Sequence, residues 1–280
     1  MVKSTQNIQI TAIAQALVNL NLPYTYHDQH KNLLSVYLNN ELVFFTQAVT
    51  PFNNQTISRI CDDKDFTYRL LKNKIRMPKT LSFFDPQALK KYNAYKKQLT
   101  VKEIVSDILT QFDLPVIIKK NTGKQGQNVF LCSDPKAIEL ALQKIFNRRS
   151  VKYDYLALAQ TYIKKSKEYR VIFFNQQLLL AYTKDISGAT FTGNLSPLHW
   201  QGAKSQEIID PETLNNLTDF IKPIFTYLPI NFTGFDILEA ENGKLYLLEA
   251  NTRPGFDYFV RDHSLDRLIL MYETIFKTFT

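Results

Sequence analysis

Asp236, Glu249 and Asn251 are the residues whose types and spacing most directly imply chemistry. They lie within residues 232–256, where Asn242-Gly243 separates two runs of strand-forming residues. An Asn-Gly pair in that setting is the strongest short hairpin signal, because both central residues of a type I′ turn need φ > 0. Counting outward from a two-residue loop sets Glu241 opposite Lys244, Leu238 opposite Leu247 and Asp236 opposite Glu249. A longer loop would break the last pairing. Asn251, two residues past Glu249, shares its face. Two carboxylates directly opposed, with Cβ atoms ~5 Å apart, repel each other. Both sit among Phe235, Ile237, Leu247 and Leu248, as in a half-buried strand pair. A divalent cation resolves the repulsion: two hard oxygen anions and an amide oxygen suit Mg²⁺, which takes a few carboxylates plus substrate phosphates. Glu239 and Glu241 are read as solvated surface acids.

A second group lies upstream. Residues 114–119 form a short apolar run of buried-strand type ending in Lys119, and a polar loop with Gly123 and Gly126 follows. Glycines let a loop backbone approach a ligand, and consecutive amides make an anion-binding nest. Lys119 adds a point charge at the strand end. The spacing is not that of a P-loop. Residues 120–127 contain no large apolar anchor, so nothing is expected to hold them closed without ligand. A phosphate loop and a paired-acid Mg²⁺ site are the two halves of a nucleotide site.

The elements that must position these groups can be placed along the chain. Residues 11–19 read as an amphipathic helix, and 33–38 and 42–46 as strands around Asn39-Asn40. Pro51 and the two asparagines after it mark a loop, and Asp62-Asp63-Lys64 opens a helix to about residue 71. A strand at 80–84 and a helix at 101–111 precede the strands at 114–119 and 128–132. Asp134-Pro135 caps a helix to about residue 146. Strands at 155–160, 169–174 and 178–183 follow, then a helix over 211–225, the hairpin, and a closing helix over 264–277 with Leu265, Leu268, Met271 and Ile275 as its apolar stripe. This order and its long antiparallel runs imply an α+β class.

The 280 residues, 45% hydrophobic, suffice for one composite domain or two to three small ones. No apolar run reaches the ~18 residues of a membrane span, and the first residues do not read as a signal peptide. Cys61 and Cys132 match no metal or redox spacing and read as core residues of a reducing, cytoplasmic compartment. His27, His30, His199 and His263 show no ligand spacing. The net charge of +8 raises a nucleic-acid partner. Its basic residues, however, are dispersed apart from short clusters at Lys90-Lys91, Lys96-Lys97, Arg148-Arg149 and Lys164-Lys165, read as lacking the aromatic interleaving of a single-strand binder. A nucleotide is an equally good recipient of the charge, and neither nucleic acid nor membrane is expected as a partner.

Together these segments resemble an ATP-grasp carboxylate–amine ligase of the glutathione synthetase, ribosomal-protein glutamate ligase and cyanophycin synthetase type. Five motifs, in family order, carry the likeness from about residue 50 to 256. DDKDFTYRLL resembles the helix that brings a lysine, here Lys64. MPKTLSF resembles the strand after it. LPVIIKKNTGKQGQNV resembles the strand and lid loop, with Lys119 as its lysine. LAQTYIKKSKEYRV resembles the hinge strand that reads adenine, and TGFDIL with YLLEANTRPGF resembles the metal hairpin. The chain departs from the pattern at Lys120, where proline is common, at Asn128, where a further loop glycine is common, at Thr161, where an acid is common, and at Lys184, where arginine is expected.

The resemblance implies an ATP-grasp fold of two α+β lobes clamping ATP. Residues 1–75 would be a reduced N-terminal region, 76–158 the central lobe with the lid, and 159–280 the C-terminal lobe with the Mg²⁺ site. Residues 1–49 offer one helix and one hairpin, which implies a substrate pocket that is more open or completed by a second subunit, as in a homo-oligomer. It implies that Lys64 and Lys119 hold the α- and β-phosphates while the loop from Gly123 to Gly126 closes over the γ-phosphate. Gln160, Thr161, Tyr162 and Ile163 would frame adenine, with Glu168 on the ribose. Asp236, Glu249 and Asn251 would hold two Mg²⁺ ions, and Arg170 and Lys184 would orient the acyl group. Arg170 also has a purely structural reading, as an ion pair with a strand neighbour. Arg253 and Asn194 are further candidates for substrate or phosphate contact. The implied activity joins a small-molecule or peptide carboxylate to an amine through an acyl phosphate. A nucleotide-binding regulatory protein or a phosphotransferase on the same fold is the alternative.

Overall fold

The structure is a computed structural model that describes residues 6–123 and 126–279. The opening residues read for a signal peptide (except Gln6), and Lys124 and Gln125 of the expected lid, lie outside the described residues.

Helix α1 (Ile8–Asn19) leads into β1 (Tyr24–Tyr26), β2 (Leu33–Leu38) and β3 (Glu41–Thr46), an antiparallel sheet in that order. Asn39 and Asn40 turn the β2–β3 hairpin with φ of 49° and 65°, as the Asn-Asn pair predicts. The N-terminal region is thus one helix and three strands; β1, only three residues long, is too short to show a period. The asparagines after Pro51 do not simply fill a loop. Asn54 caps α2 (Gln55–Asp62) by accepting from Ile57 N–H, and Asp63 caps α3 (Lys64–Leu71) by accepting from Phe66 N–H.

A four-stranded antiparallel sheet of β4 (Thr80–Phe84), β5 (Val116–Lys120), β6 (Val129–Cys132) and β7 (Leu156–Thr161) has the order β4-β7-β5-β6. Helices α4 (Val101–Gln111) and α5 (Pro135–Ile145) cover one face, burying Ile104, Ile108, Ile138 and Leu142 against Val116, Ile118, Ala157 and Ala159. Strand alternation puts Thr80, Ile117, Lys119 and Gln160 on the other face. Between β4 and α4 the lysine clusters at 90–91 and 96–97 flank Tyr92 and Tyr95. Basic and aromatic residues therefore do interleave here: Tyr92 stacks on Tyr155 with Lys91 over its ring, and the exposed Tyr95 stacks on Phe84.

The larger sheet has five antiparallel strands in the order β10-β9-β8-β11-β12. These are β8 (Lys165–Phe174), β9 (Gln177–Asp185), β10 (Lys204–Glu207), β11 (Phe232–Ala240) and β12 (Leu245–Asn251). Its odd-numbered positions on β8 and β11, such as Val171, Phe173, Phe235 and Ile237, pack under α6 (Pro211–Ile221) and α7 (Ile224–Tyr227). Pro223 separates the two helices, which the sequence reads as one. The even-numbered face divides along its length. One end carries Ile172, Phe174 and Phe232, joined with Leu17, Leu34 and Phe45 of the N-terminal region in a single core. That core includes Phe259 of α8 (Asp257–Asp262) and Tyr272 and Phe276 of α9 (Asp266–Phe276). The other end of the same face carries Glu168, Arg170 and Asp236. Among the described residues no helix is long and apolar enough to cross a membrane.

The β11–β12 hairpin corrects the counted register. Ala240 N–H donates to Lys244 O and Gly243 N–H to Ala240 O, so the loop has three residues, with Gly243 at φ 75°. Ile237, not Leu238, faces Leu247, and Glu241 pairs with Lys164 rather than facing Lys244. A bulge between Asp236 and Ile237 then takes up one residue of β12, which restores Asp236 opposite Glu249.

Candidate active site

Residues from both larger sheets line a cleft of about 460 Å³. Lys119 rises from β5 and is almost fully buried. Its Nζ lies 2.9 Å from Gln160 Oε1, and Gln160 Nε2 donates to Thr80 Oγ1 at 2.8 Å. The Gln160 side chain therefore holds the lysine. Burial, and after it the Lys64 ammonium, pulls the Lys119 pKa down to about 8, with Glu249 acting the other way. Lys64, the first residue of α3, reaches across to Glu249 Oε2 at 3.2 Å and donates to Gly123 O at 2.6 Å. Thr161, Tyr162 and Ile163 line the same cleft. Thr161 N–H is already committed to Lys79 O.

An ion chain crosses the floor. Arg170 sits opposite Asp236 in the strand register and clamps it with Nε to Oδ1 at 2.8 Å and Nη2 to Oδ2 at 2.6 Å. Lys184 Nζ lies 3.0 Å from Asp236 Oδ1 and also binds Glu168, whose other oxygen takes Lys165 Nζ at 2.6 Å. Burial opposes the charge on Asp236, but the Arg170 guanidinium and then Lys184 outweigh it and hold its carboxyl well below the usual range. Burial likewise opposes charge on Glu168, and Lys184 and then Lys165 pull its carboxyl down. Lys184 is itself raised, because Asp236 and Glu168 outweigh its burial. The repulsion between opposed carboxylates thus has an answer within the chain: Arg170 and Lys184 serve Asp236, and Lys64 serves Glu249. Both readings of Arg170 meet here, since it is a strand-neighbour ion pair and also lines the cleft.

A second pocket, about 490 Å³, adjoins the first; the two share Lys64, Gly123, Arg170, Lys184, Ser196 and Glu249. Asn251 and Arg253 line this second pocket. Asn251 Oδ1 accepts from Arg253 N–H at 3.0 Å, the Arg253 guanidinium pairs with Asp62, and among the described residues its buried Nε has no hydrogen-bond partner. Part of the wall comes from Asn7, Gln47, Ala48 and Val49. Residues from the N-terminal part of the chain thus form part of this pocket's wall.

The segment 186–203 is the main contribution that sequence reasoning missed, apart from Asn194. Phe191, Leu195, Ser196 and Trp200 line the first cleft, and Leu198 and His199 the second pocket. Trp200 Nε1 donates to Asn194 O at 2.6 Å, and its ring meets Phe191 edge-on at 5.1 Å. The chain's single Trp in a polar loop was the available signal. This segment touches the lid: Gly126 has φ 68°, and a Cβ there would lie 2.1 Å from Asn194 Oδ1. The lid also has anchors that its sequence does not advertise. Thr122 binds Asp154 through N–H and Oγ1, and Asn128 adopts φ 53°, a left-handed conformation that asparagine tolerates.

Mg²⁺ fits the donor set by kind. Asp236 and Glu249 are hard acids on neighbouring strands, and a carboxylate offers ~four acceptor positions, so the cations on Asp236 leave room. Among the described residues no three His, Cys, Asp or Glu side chains form a metal cluster. An ion here therefore needs phosphate oxygens as well, as is usual for Mg²⁺ in nucleotide sites.

The clamp of two α+β lobes around a cation-lined cleft is the ATP-grasp architecture. The model of the RimK-like ATP-grasp domain matches residues 62–275, and the chain belongs to that family. A probable alpha-L-glutamate ligase of Stutzerimonas stutzeri (strain A1501) is 29% identical over 143 residues, covering 50% of this chain and 43% of that protein. The chain thus spans less than half the length of that relative. The crystal structure of D-alanine–D-alanine ligase from Bacillus anthracis has a TM-score of 0.56 at 18% identity, covering 80% of this chain and 71% of that one. The same enzyme complexed with ATP gives 0.53 at 18% identity, over 80% and 70%. These structures show the shared fold.

Proposed function

We propose that this chain is an ATP-dependent ligase that joins a carboxylate to an amine, with L-glutamate among its substrates. The observation that carries this reading is the meeting of two pockets at Arg170, Lys184 and Glu249. One pocket carries Lys64 and Lys119 among its five lysines and a largely apolar hinge side, suited to a nucleotide. The other is ringed by charged side chains, suited to a carboxylate and an amine. A carboxylate oxygen attacks the γ-phosphorus of ATP, the bond to the β-phosphate oxygen breaks, and ADP leaves. The amine nitrogen then attacks the acyl carbon, and phosphate leaves. Attack of one anion on another needs preorganised positive charge. Lys64 and Lys119 supply it at the phosphates, and Arg170 and Lys184 at the acyl group. Asp236 and Glu249, with Asn251 beside them, would hold Mg²⁺, which supplies Lewis-acid neutralisation of the phosphate oxygens. The lid and the 186–203 segment keep water from the acyl phosphate. Glutamate enters from the name of the S. stutzeri relative, and the cations of the second pocket suit its two carboxylates.

The test is ADP release with N-acetyl-L-glutamate, whose amine is blocked, as the added carboxylate, with and without L-glutamate as the amine. We expect release to require the carboxylate and to accelerate with the amine. Release that ignores both would favour a phosphotransferase or a regulatory nucleotide binder.

A further inference from the structure

An amine substrate arrives as an ammonium at neutral pH and must lose a proton before its nitrogen can attack. Most groups around the second pocket are unsuited to take that proton. Arg170 and Lys184 are held charged by Asp236. Asp62 is paired with Arg253, and Glu249 with Lys64 at the proposed ion site. Asp257 lies exposed. One further group is an imidazole. His199, on the 186–203 segment, lines this pocket together with Lys184 and Arg170. Its Nδ1 lies 2.8 Å from Tyr258 Oη, and the two rings meet edge-on at 5.0 Å. Among the described residues its Nε2 makes no hydrogen bond. A base within reach of the reacting nitrogen, oriented by a hydrogen bond on its other ring nitrogen, is the arrangement general-base catalysis needs.

We propose that His199 is the general base of the amine-transfer step and that Tyr258 is its positioning residue. Nε2 takes the proton from the ammonium, with Nδ1–H donating to Tyr258 Oη. The amine nitrogen bonds to the acyl carbon, the carbon–oxygen bond to phosphate breaks, and phosphate departs with that electron pair. The imidazolium then returns its proton to solvent. The charged and titratable groups facing His199 are Lys184 from β9 and Tyr258 from α8, with Arg261 stacked over the Tyr258 ring. Burial, and after it Lys184, keeps the imidazole below its ordinary range, so it is unprotonated at neutral pH.

This assignment rests on the ligase reading, and the test separates the two. L-glutamate serves as the carboxylate, and the nucleophile is either a second L-glutamate or hydroxylamine, which is largely unprotonated at neutral pH and needs no base. We expect His199→Gln to lower the ratio of glutamate-supported to hydroxylamine-supported turnover at pH 7 by about 10²-fold, the low end of general-base effects. Its glutamate-supported rate should climb about tenfold per pH unit above 7, as the free amine becomes available, while the wild-type rate stays flat. Tyr258→Phe should lower the ratio by a smaller factor, which covers the case of a poorly folded His199 variant. An unchanged ratio and a flat profile in both variants, with hydroxamate still formed, would overturn the role of His199 alone. No hydroxamate from the wild-type protein would overturn the ligase reading, and this assignment with it.

Discussion

Glu249→Gln should lower turnover in Mg²⁺ by roughly 10³-fold or more while leaving the fold intact. The substitution keeps shape and removes one charge of the pair opposed across β11 and β12. Lewis-acid neutralisation is worth several kcal/mol of transition-state charge, and each 1.36 kcal/mol is about tenfold in rate. A like-charge argument alone would have the variant gain stability. The Lys64 contact at 3.2 Å argues otherwise, since the variant loses an ion pair. The change in stability should be small, because partly exposed pairs contribute only ~0–1 kcal/mol. Wild-type turnover in the purified variant, measured as ADP release, would remove the carboxylate pair from the chemistry.

Lys119→Ala should abolish most of the rise in melting temperature that ATP and Mg²⁺ give the wild type. A ligand that binds only the native state stabilises it by about 2.7 kcal/mol at a hundred times its Kd. Lys119 is nearly inaccessible and is aimed into the cleft by Gln160. Its pKa of about 8, against an ordinary 10.5, adds a pH signature. Between those values the unfolded chain holds more protons, so the free protein should gain stability as pH rises from 8 to 10.5. The Lys119 cost is fully present below 8. Phosphates favour the ammonium, so ATP binding should take up a proton above pH 8. Calorimetry in buffers of different ionisation enthalpy would show that uptake, and its absence in Lys119→Ala. Equal thermal shifts in variant and wild type would make Lys119 an ordinary strand-end residue.

How the sequence and the structure agree is instructive at the hairpin. The Asp236–Glu249 pairing was legible from Asn242-Gly243, yet two of the steps behind it were not. The turn has three residues, and a bulge beside Asp236 absorbs the extra one. β11 is also held by β8, so a one-residue slip of β12 alone would send Glu249 to the apolar face and leave Asp236 in the cleft. Residues fixed by strand period and a short motif, such as Lys119, Gln160 and Asp236, were placed from sequence. Their partners were not. Lys184 reaches Asp236 and Glu168 only because β9 folds back beside β8. The 186–203 segment has no period to read, and its role comes from lying over the cleft. The wall from Gln47 to Val49 likewise depends on how the N-terminal sheet packs against the shared core.

The central claim is that a carboxylate oxygen attacks the γ-phosphate of ATP in this cleft. L-glutamate labelled with ¹⁸O in its carboxylates, incubated with ATP, Mg²⁺ and an amine, tests it most directly. Mass spectrometry of the inorganic phosphate should find one ¹⁸O atom per phosphate released, because the acyl oxygen leaves with the phosphate. Phosphate released in step with ADP but carrying no label would mean that water, not a carboxylate, is the acceptor, and would contradict the account.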